Sequence, residues 1–199
     1  MRDIVYKRLE NISIESKGYI QTIELLEKGF TNRQIAQLVK ENCLEKVAFG
    51  IYWITQSSLK KPKDYKAIEV GLVDSDSVIC ADSACFYHGI IKKEPEILSV
   101  ATRRSDRHKI QMDYSINRFY ISDSIFDEGI EKIETPFGSY YIYSIERSIV
   151  DCYKYKKRIS SESYQLINKY VHNGRKTNLE RIEKYAEILR VCMSNKSSS

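Results

Sequence analysis

Three side chains that can bind zinc lie close together in the sequence. Cys80, Cys85 and His88 offer two thiolates and an imidazole, which are the ligand types of structural zinc sites. Their spacing differs from that of a zinc knuckle, and no fourth ligand lies nearby in the sequence. Because buried cysteines pack as small apolar side chains, a place in the core explains both cysteines more simply. We therefore predict no metal site and no cofactor in this chain.

A second arrangement, formed by Asp64 and Lys66, has the Asp-x-Lys spacing of one half of some nuclease metal sites. It lies in a polar stretch with no strand carboxylate before it, and nuclease activity is kept only as an alternative. The three histidines are far apart, and no serine or cysteine is paired with one of them. Gly50, Gly71 and Gly89 are isolated, so no glycine-rich loop is available to bind phosphate. We predict no catalytic residue.

The polar residues of a helix predicted for residues 32–41 are suited to reading DNA. At about 100° per residue, Ile35, Leu38 and Val39 share one apolar face. Arginine can pair with guanine and glutamine with adenine in the major groove. A solvated helix face is the alternative, although such faces are more often rich in lysine and glutamate. The polar side chains opposite the apolar face, or on its flank, are Arg33, Gln34, Gln37 and Lys40.

The elements around this helix follow the order helix, helix, short turn, helix, hairpin. Thr31 and Gln34 have the spacing of a capping box, which marks the start of the third helix. Gly50 supplies the turn of the hairpin. This order is typical of a winged helix-turn-helix domain. The predicted helices cover 3–12, 22–29 and 32–41, and the predicted strands cover 44–47 and 51–54.

The polar passage 56–63 interrupts two patterned regions and indicates a domain boundary. We predict a DNA-binding domain over 1–61, an α+β domain over 62–194 and a disordered tail over 195–199. The α+β assignment follows from strands that are succeeded by helices. The predicted strands are 97–102, 118–121, 130–133 and 140–143. The predicted helices are one from about Ser161 and three that are capped by Asp82-Ser83, Ser144 and Asn178.

The composition is that of a globular protein, with 42% apolar and 30% charged residues in 199. Its longest uncharged apolar stretches are far shorter than the roughly 20 residues of a membrane span. The first residues have no apolar segment typical of a signal peptide. Five cysteines, an odd number without a dense framework, indicate free thiols in a reducing compartment. These features predict a cytoplasmic protein with no membrane partner.

The net charge of +5 is distributed unevenly along the chain. Residues 1–61 carry ten basic and seven acidic side chains, 62–139 carry ten and fourteen, and 140–199 carry twelve and six. Both ends are therefore basic around an acidic middle. On charge alone an ordinary mildly basic surface is the simpler explanation, and a polyanionic partner that contacts both ends is the alternative.

Several motifs resemble those of the AbiEi antitoxins of bacterial abortive-infection toxin–antitoxin systems. The stretch 143–151, YSIERSIVD, is the most specific match, and it carries Ser148 where the family usually has threonine. The likeness covers nearly the whole chain in the expected order. The other matching stretches are 18–20 (GYI), 44–52 (LEKVAFGIY), 81–89 (ADSACFYHG) and 135–138 (TPFG).

The resemblance implies a transcriptional repressor and antitoxin that acts in phage abortive infection. Its winged-helix domain would bind inverted repeats in its own promoter and repress the toxin–antitoxin operon. Its C-terminal domain would oppose a nucleotidyltransferase-like toxin without forming a stable complex with it. A winged-helix regulator whose second domain senses a small ligand is the alternative.

These expectations assign roles to individual residues. Arg33, Gln34 and Gln37 would reach bases, Thr31, Asn32 and Lys40 would hold phosphates, and Lys46 would contact the flanking backbone of the double-stranded promoter DNA. Basic clusters in the C-terminal third would either extend the phosphate footprint or be ordinary solvated charge. Those clusters are Lys154, Lys156, Lys157, Arg158, Arg175 and Lys176.

Within the most specific motif, Glu146, Arg147 and Asp151 are polar residues of one predicted helix. Arg147 and Asp151 stand at positions i and i+4, so they can form an ion pair. A structural role for these residues and a role in antitoxicity are both open at this point.

Overall fold

The computed structural model describes residues 2–173 and 177–193. Over these residues the chain is a mixed α+β protein with two β-sheets, which confirms the α+β part of the predicted fold. No helix in this part of the chain is both long and apolar enough to cross a lipid bilayer. The chain divides into two compact units, the first comprising 1–73, 109–113 and 134–139, and the second 74–108, 114–133 and 140–199.

The first unit contains a three-stranded antiparallel sheet covered by helices. The strands are β1 (Tyr19–Gln21), β2 (Leu44–Ala48) and β3 (Ile51–Ile54), and β3 lies in the middle. Leu9, Ile20, Leu25, Leu44 and Ile54 form the centre of its apolar core and are almost completely buried. The helices are α1 (Arg2–Glu15), α2 (Thr22–Glu27), α3 (Asn32–Lys40) and α4 (Tyr65–Val73).

Local sequence signals explain where the central helices of the first unit begin. At α3 the Thr31 hydroxyl accepts the backbone N–H of Gln34, and the Gln34 side chain accepts the backbone N–H of Thr31. This capping box was predicted and is confirmed. Just before β1, Gly18 has a φ of +88°, and a Cβ atom there would lie 2.1 Å from the Trp53 indole. The chain can therefore enter β1 only with glycine at this position.

Helix α4 belongs to the first unit, which extends to Val73, whereas the domain boundary predicted from the sequence lies at 61/62. A buried polar cluster joins α4 to the earlier elements. The Glu69 carboxylate lies 2.7 Å from the Lys61 amine and accepts the Tyr19 hydroxyl at 3.2 Å. Lys61 also pairs with Glu45 at 2.8 Å. Burial raises the pKa of Glu69, although the bonds from Lys61 and Tyr19 oppose that shift.

The second unit is built on a five-stranded mixed sheet of order β6-β5-β4-β8-β7, of which only residues 134–139, around the turn between β7 and β8, are assigned to the first unit. Strand β4 pairs antiparallel with β5 and parallel with β8, and β5 pairs parallel with β6. The strands are β4 (Val78–Ile79), β5 (Leu98–Arg103), β6 (Ile116–Ile121), β7 (Ile130–Thr135) and β8 (Gly138–Tyr143). The helices are α5 (Ala81–Tyr87), α6 (Asp123–Phe126), α7 (Ile145–Lys154), α8 (Ser161–His172) and α9 (Leu179–Leu189).

Helix α7 lies at the centre of the second unit, in contact with α5, α8 and α9. Its residues Ile149, Val150 and Cys152 are fully buried in the apolar core. The predicted caps are confirmed at two helices, because the Ser144 hydroxyl accepts a backbone N–H of α7 and the Asn178 amide accepts one of α9. The helix that carries the most specific motif, α7, therefore begins where its capping residue Ser144 predicts.

The structure corrects the predicted start of α5. This helix begins at Ala81 with Cys80 at the N-cap, and neither Asp82 nor Ser83 is the capping residue. The Asp82 carboxylate is instead buried and accepts the Ser99 hydroxyl at 2.7 Å. Helices α4 and α6 were not predicted. The predicted tail 195–199 lies outside the described residues.

Candidate nucleic-acid interface

Five of the residues predicted to contact DNA are solvent-exposed residues of α3. Ile35 and Leu38 are only 3% and 4% exposed, because this side of the helix packs into the core of the first unit. The helix is therefore strongly amphipathic, and its polar side is not covered by the protein itself. The exposed polar side chains are Asn32, Arg33, Gln34, Gln37 and Lys40, and Thr31 at the N-cap is also exposed.

The hydrogen bonds distinguish between these exposed side chains. The Gln34 carbonyl oxygen is engaged in the capping box, where it accepts the backbone N–H of Thr31 at 2.8 Å. The Gln37 amide donates to the Glu41 carboxylate at 2.8 Å. Within the described part of the chain, the side chains of Arg33 and Lys40 have no hydrogen bond or ion pair. Arg33 and Lys40 are therefore the cationic donors on α3 that are available to a ligand.

A small groove between α1 and α3 is lined by both glutamines of α3 and not by Arg33. Its volume is about 190 Å³, and its lining includes Val5, Tyr6 and Phe30 as well as Gln34 and Gln37. The glutamines thus lie on the side of α3 that faces α1. Arg33 and Lys40 do not line this groove and lie further out on the helix.

The hairpin formed by β2 and β3 follows α3 directly and carries Lys46 on an exposed position of β2. Its turn consists of Phe49 and Gly50, and Gly50 has a φ of +75°. The Gly50 carbonyl oxygen accepts the Thr22 backbone N–H at 2.8 Å and the Thr22 hydroxyl at 3.3 Å. These bonds hold the turn of the hairpin against the first residue of α2.

The basic residues that follow α7 are engaged to different degrees. The Lys154 amine donates to the Leu189 carbonyl oxygen at 3.2 Å, and burial lowers its pKa. The Lys156 amine lies over the Tyr164 ring at 4.3 Å from the ring centroid. Lys157 is exposed. Arg175 and Lys176 lie outside the described residues.

Arg158 serves the structure of the second unit. Its guanidinium donates to the Asn117 side chain at 2.7 Å and to the Arg118 carbonyl oxygen at 2.8 Å. The same group stacks on the Phe119 ring at 4.1 Å from the centroid. Because these contacts occupy the guanidinium, a phosphate contact by Arg158 would compete with them.

The motif residues of α7 are almost completely buried. Arg147 is 0% and Asp151 1% exposed, and the Arg147 Nε donates to Asp151 Oδ1 at 3.2 Å. The predicted ion pair is therefore present. Arg147 Nη1 also donates to the carbonyl oxygens of Ile125 and Glu128 at 3.1 Å and 3.0 Å. Glu146 is 7% exposed and accepts the Asn178 backbone N–H at 3.3 Å.

Asp151 titrates in an unusual range. Burial raises its pKa to about 6, while the charges of Arg147 and Lys154 act in the opposite direction. The folded protein therefore binds a proton at Asp151 at pH values where the unfolded chain, with an ordinary carboxyl pKa of about 3.9, has lost it. Any stability that this proton contributes is present at low pH and is lost as the pH rises through about 6.

Asp151→Asn tests this titration. Because asparagine does not titrate, the free energy of unfolding of the wild type should fall relative to that of the variant as the pH rises from about 4.5 to about 7.5. Urea denaturation of both proteins at the two pH values measures the difference. A difference that stays constant with pH would show that Asp151 has an ordinary pKa in the folded protein.

The residues that the sequence offered as metal ligands make other contacts in the structure. Cys80 and Cys85 are buried, and the Cys85 sulfur lies 3.8 Å from that of Cys152. His88 Nε2 lies 2.7 Å from the Tyr143 carbonyl oxygen. Asp64 precedes α4 and does not lie on a strand. Over residues 2–173 and 177–193, no group of three or more metal-binding side chains is placed to hold an ion.

A cavity of about 370 Å³ in the second unit was not predicted from the sequence. Its lining includes the buried Asp82 and Ser99, the exposed Lys157, and Ser160 and Ser163 at the start of α8. No sequence signal could have located it, because these residues come from segments that are distant along the chain.

No protein-family model matches this chain, and no curated protein matches it. The AbiEi resemblance therefore stays a hypothesis based on the quoted motifs. The geometry of the first unit supplies the independent argument for a function.

Proposed function

We propose that the chain is a DNA-binding transcriptional repressor and antitoxin of the AbiEi type. In this proposal α2, the turn after it and α3 are a helix-turn-helix, the β2–β3 hairpin is the wing, and α3 is the recognition helix. The protein binds inverted repeats in the promoter of its own operon and acts in the cytoplasm. It is not an enzyme.

The observation that carries the proposal is the exposed outer face of α3. A recognition helix needs one face that packs on the protein and an opposite face whose side chains reach base edges. Ile35 and Leu38 form the face that packs on the protein. Arg33 and Lys40 are cationic residues of the opposite face, and their side chains have no partner among the described residues. Lys46 adds a further exposed charge on the neighbouring hairpin.

The antitoxin part of the proposal rests on the motif likeness of the second unit. In this scheme the second unit opposes a nucleotidyltransferase-like toxin without a stable complex. Co-expression with a nucleotidyltransferase encoded beside it is the direct test, and restored growth is the expected result. If growth stays inhibited while the protein is folded and abundant, the antitoxin assignment fails and the repressor assignment stands alone.

Binding of the wild-type protein to DNA from upstream of its own reading frame should be specific and strongly dependent on salt. Because Arg33, Lys40 and Lys46 would neutralise phosphates or pair with bases, log Kobs should fall linearly with log salt, by about 0.9 per phosphate neutralised. Fluorescence anisotropy with a labelled duplex measures this slope. A scrambled duplex of the same composition should bind at least about 1000-fold more weakly.

Equal affinity for the promoter and the scrambled duplex would contradict a sequence-reading role. In that case the basic residues would bind polyanions without specificity. Cleavage of the labelled DNA in the presence of Mg²⁺ or Mn²⁺ would contradict the proposal in a different way, because it would indicate a nuclease.

The cavity in the second unit favours one second candidate, a regulator that senses a small ligand. Its volume of about 370 Å³ falls within the usual range for ligand pockets. Thermal-shift measurements with a panel of metabolites would identify a ligand, and promoter affinity would then be measured with and without it. A ligand that changes promoter affinity would favour this candidate over the antitoxin.

A further inference from the structure

Phe49, at the tip of the β2–β3 hairpin, is a large apolar side chain that is almost fully exposed to solvent. Its exposed fraction is 93%, although the hairpin residues Val47, Ala48 and Trp53 are buried. Burying a phenylalanine side chain stabilises a fold, and a ring that is 93% exposed contributes almost nothing of this kind. The backbone of the turn does not require phenylalanine at position 49 either. The unusual conformation of this two-residue turn, a positive φ, is at Gly50.

The tip is held in a defined position within the first unit. Two hydrogen bonds join the Gly50 carbonyl oxygen to Thr22, one from the backbone N–H and one from the hydroxyl. A Cβ atom on Gly50 would lie 3.5 Å from the Thr22 hydroxyl, an ordinary van der Waals distance, so the turn lies beside the start of α2. The exposed ring is therefore presented from an anchored base, so ordering it on binding costs little further entropy.

The charge and size of the surroundings favour DNA over a protein as the occupant. Lys46 is exposed on the same hairpin, and the nearby helix α3 exposes Arg33 and Lys40. A stable protein interface buries more than about 1000 Å², which one side chain on a narrow turn cannot provide. A single apolar wedge is sufficient to open one base step in the minor groove, which is about 6 Å wide.

We propose that Phe49 is an apolar wedge that inserts into the minor groove of the promoter DNA and partly unstacks one base step. This inference rests on the proposed DNA-binding function and adds a specific contact to it. The ring lies at the tip of the hairpin, while Lys46 contacts the adjacent backbone. The partner is duplex DNA, and the readout is the deformability of a base step, not its hydrogen-bonding pattern.

Phe49→Ala tests the wedge directly. Stacking of an aromatic side chain on a base is worth about 1–3 kcal/mol, so promoter affinity should fall about 5- to 150-fold. The slope of log Kobs against log salt should not change, because no charge is lost. Ile4→Ala is the matched control, since Ile4 is 73% exposed on α1 and its loss should leave affinity unchanged. Circular dichroism of both variants checks that they are folded.

Base substitution provides a second readout. Inosine·cytosine pairs in the DNA that flanks the α3 site lack the minor-groove amino group and unstack more easily than guanine·cytosine pairs. The wild type should bind such a duplex more tightly than the unmodified one, and Phe49→Ala should discriminate less between them.

The outcomes separate this inference from the proposed function. If Phe49→Ala binds the promoter as the wild type does while Arg33→Ala is impaired, the wedge is wrong and the DNA-binding function stands. If the wild type itself has no preference for the promoter, both fall. If Phe49→Ala dissociates a dimer and leaves DNA affinity unchanged, the tip is a contact between copies and the wedge is wrong.

Discussion

Replacing Arg33 by alanine is expected to weaken promoter binding by about 1–3 kcal/mol, a roughly 5- to 150-fold rise in Kd, and to relax sequence preference. Arg33 is exposed on the outer face of α3 and has no partner in the described part of the chain. Its five N–H donors can therefore bind the two acceptors of a guanine without first breaking a contact within the protein. Anisotropy titrations against the promoter and a set of single-base variants measure both effects.

Two further variants show whether the loss is one of base recognition. Lys40→Ala removes a neighbouring charge from the same helix and should weaken all sequences alike, with a salt slope smaller by about 1. Lys7→Ala removes an exposed charge from α1 and should change neither affinity nor preference. If Arg33→Ala retains the full preference of the wild type, α3 is not the recognition helix.

The elements of the first unit that precede the polar passage 56–63 could be predicted because their signals are local. The capping box of Thr31 and Gln34 and the spacing of Ile35 and Leu38 are visible within ten residues, and they locate α3. The exposure of the outer face also follows from this period, since one face of an amphipathic helix must pack on the core.

Helix α4 could not be predicted because its stability depends on distant residues. The stretch before it is polar, and Glu69 interrupts its apolar pattern at the centre. Glu69 is only 2% exposed, and it is accommodated by Lys61 and by Tyr19, which is fifty positions away. From the sequence alone, a glutamate is predicted to lie at the surface, because burying its charge is costly without partners that only the fold brings near.

The basic residues after α7 illustrate the same difficulty at the candidate site. Lys154 and Arg158 read as free charges in the sequence, but their side chains bond to Leu189, Asn117 and Arg118. The partners of Arg158 lie about forty residues earlier in the chain. Charge runs therefore predict a basic composition reliably, whereas the availability of each charge depends on tertiary contacts.

The burial of Arg147 favours a structural role for the most specific motif. A guanidinium that is 0% exposed cannot touch a partner in this conformation, and it already bonds to Asp151 and to two carbonyl oxygens. It also lies over the Tyr143 ring at 4.4 Å from the centroid. Arg147 Nη2 and Asp151 Oδ2 have no hydrogen-bond partner in the described structure, so the pair is only partly satisfied.

Arg147→Met is therefore expected to destabilise the second unit by about 3–5 kcal/mol at neutral pH. The change leaves the buried Asp151 without its counter-charge and leaves the carbonyl oxygens of Ile125 and Glu128 without a donor. Urea denaturation followed by circular dichroism measures the loss. The fluorescence of Trp53, the single tryptophan, which lies in the first unit, is followed in the same samples.

The double variant Arg147→Met/Asp151→Leu distinguishes the structural from the functional reading. Removing both charges should recover much of the lost stability, because replacing a buried ion pair by apolar residues is often close to neutral. If the motif is structural, protection against the toxin should recover together with stability. A double variant that is as stable as the wild type but gives no protection would show that Arg147 or Asp151 acts in antitoxicity itself, through a conformation in which the pair becomes exposed.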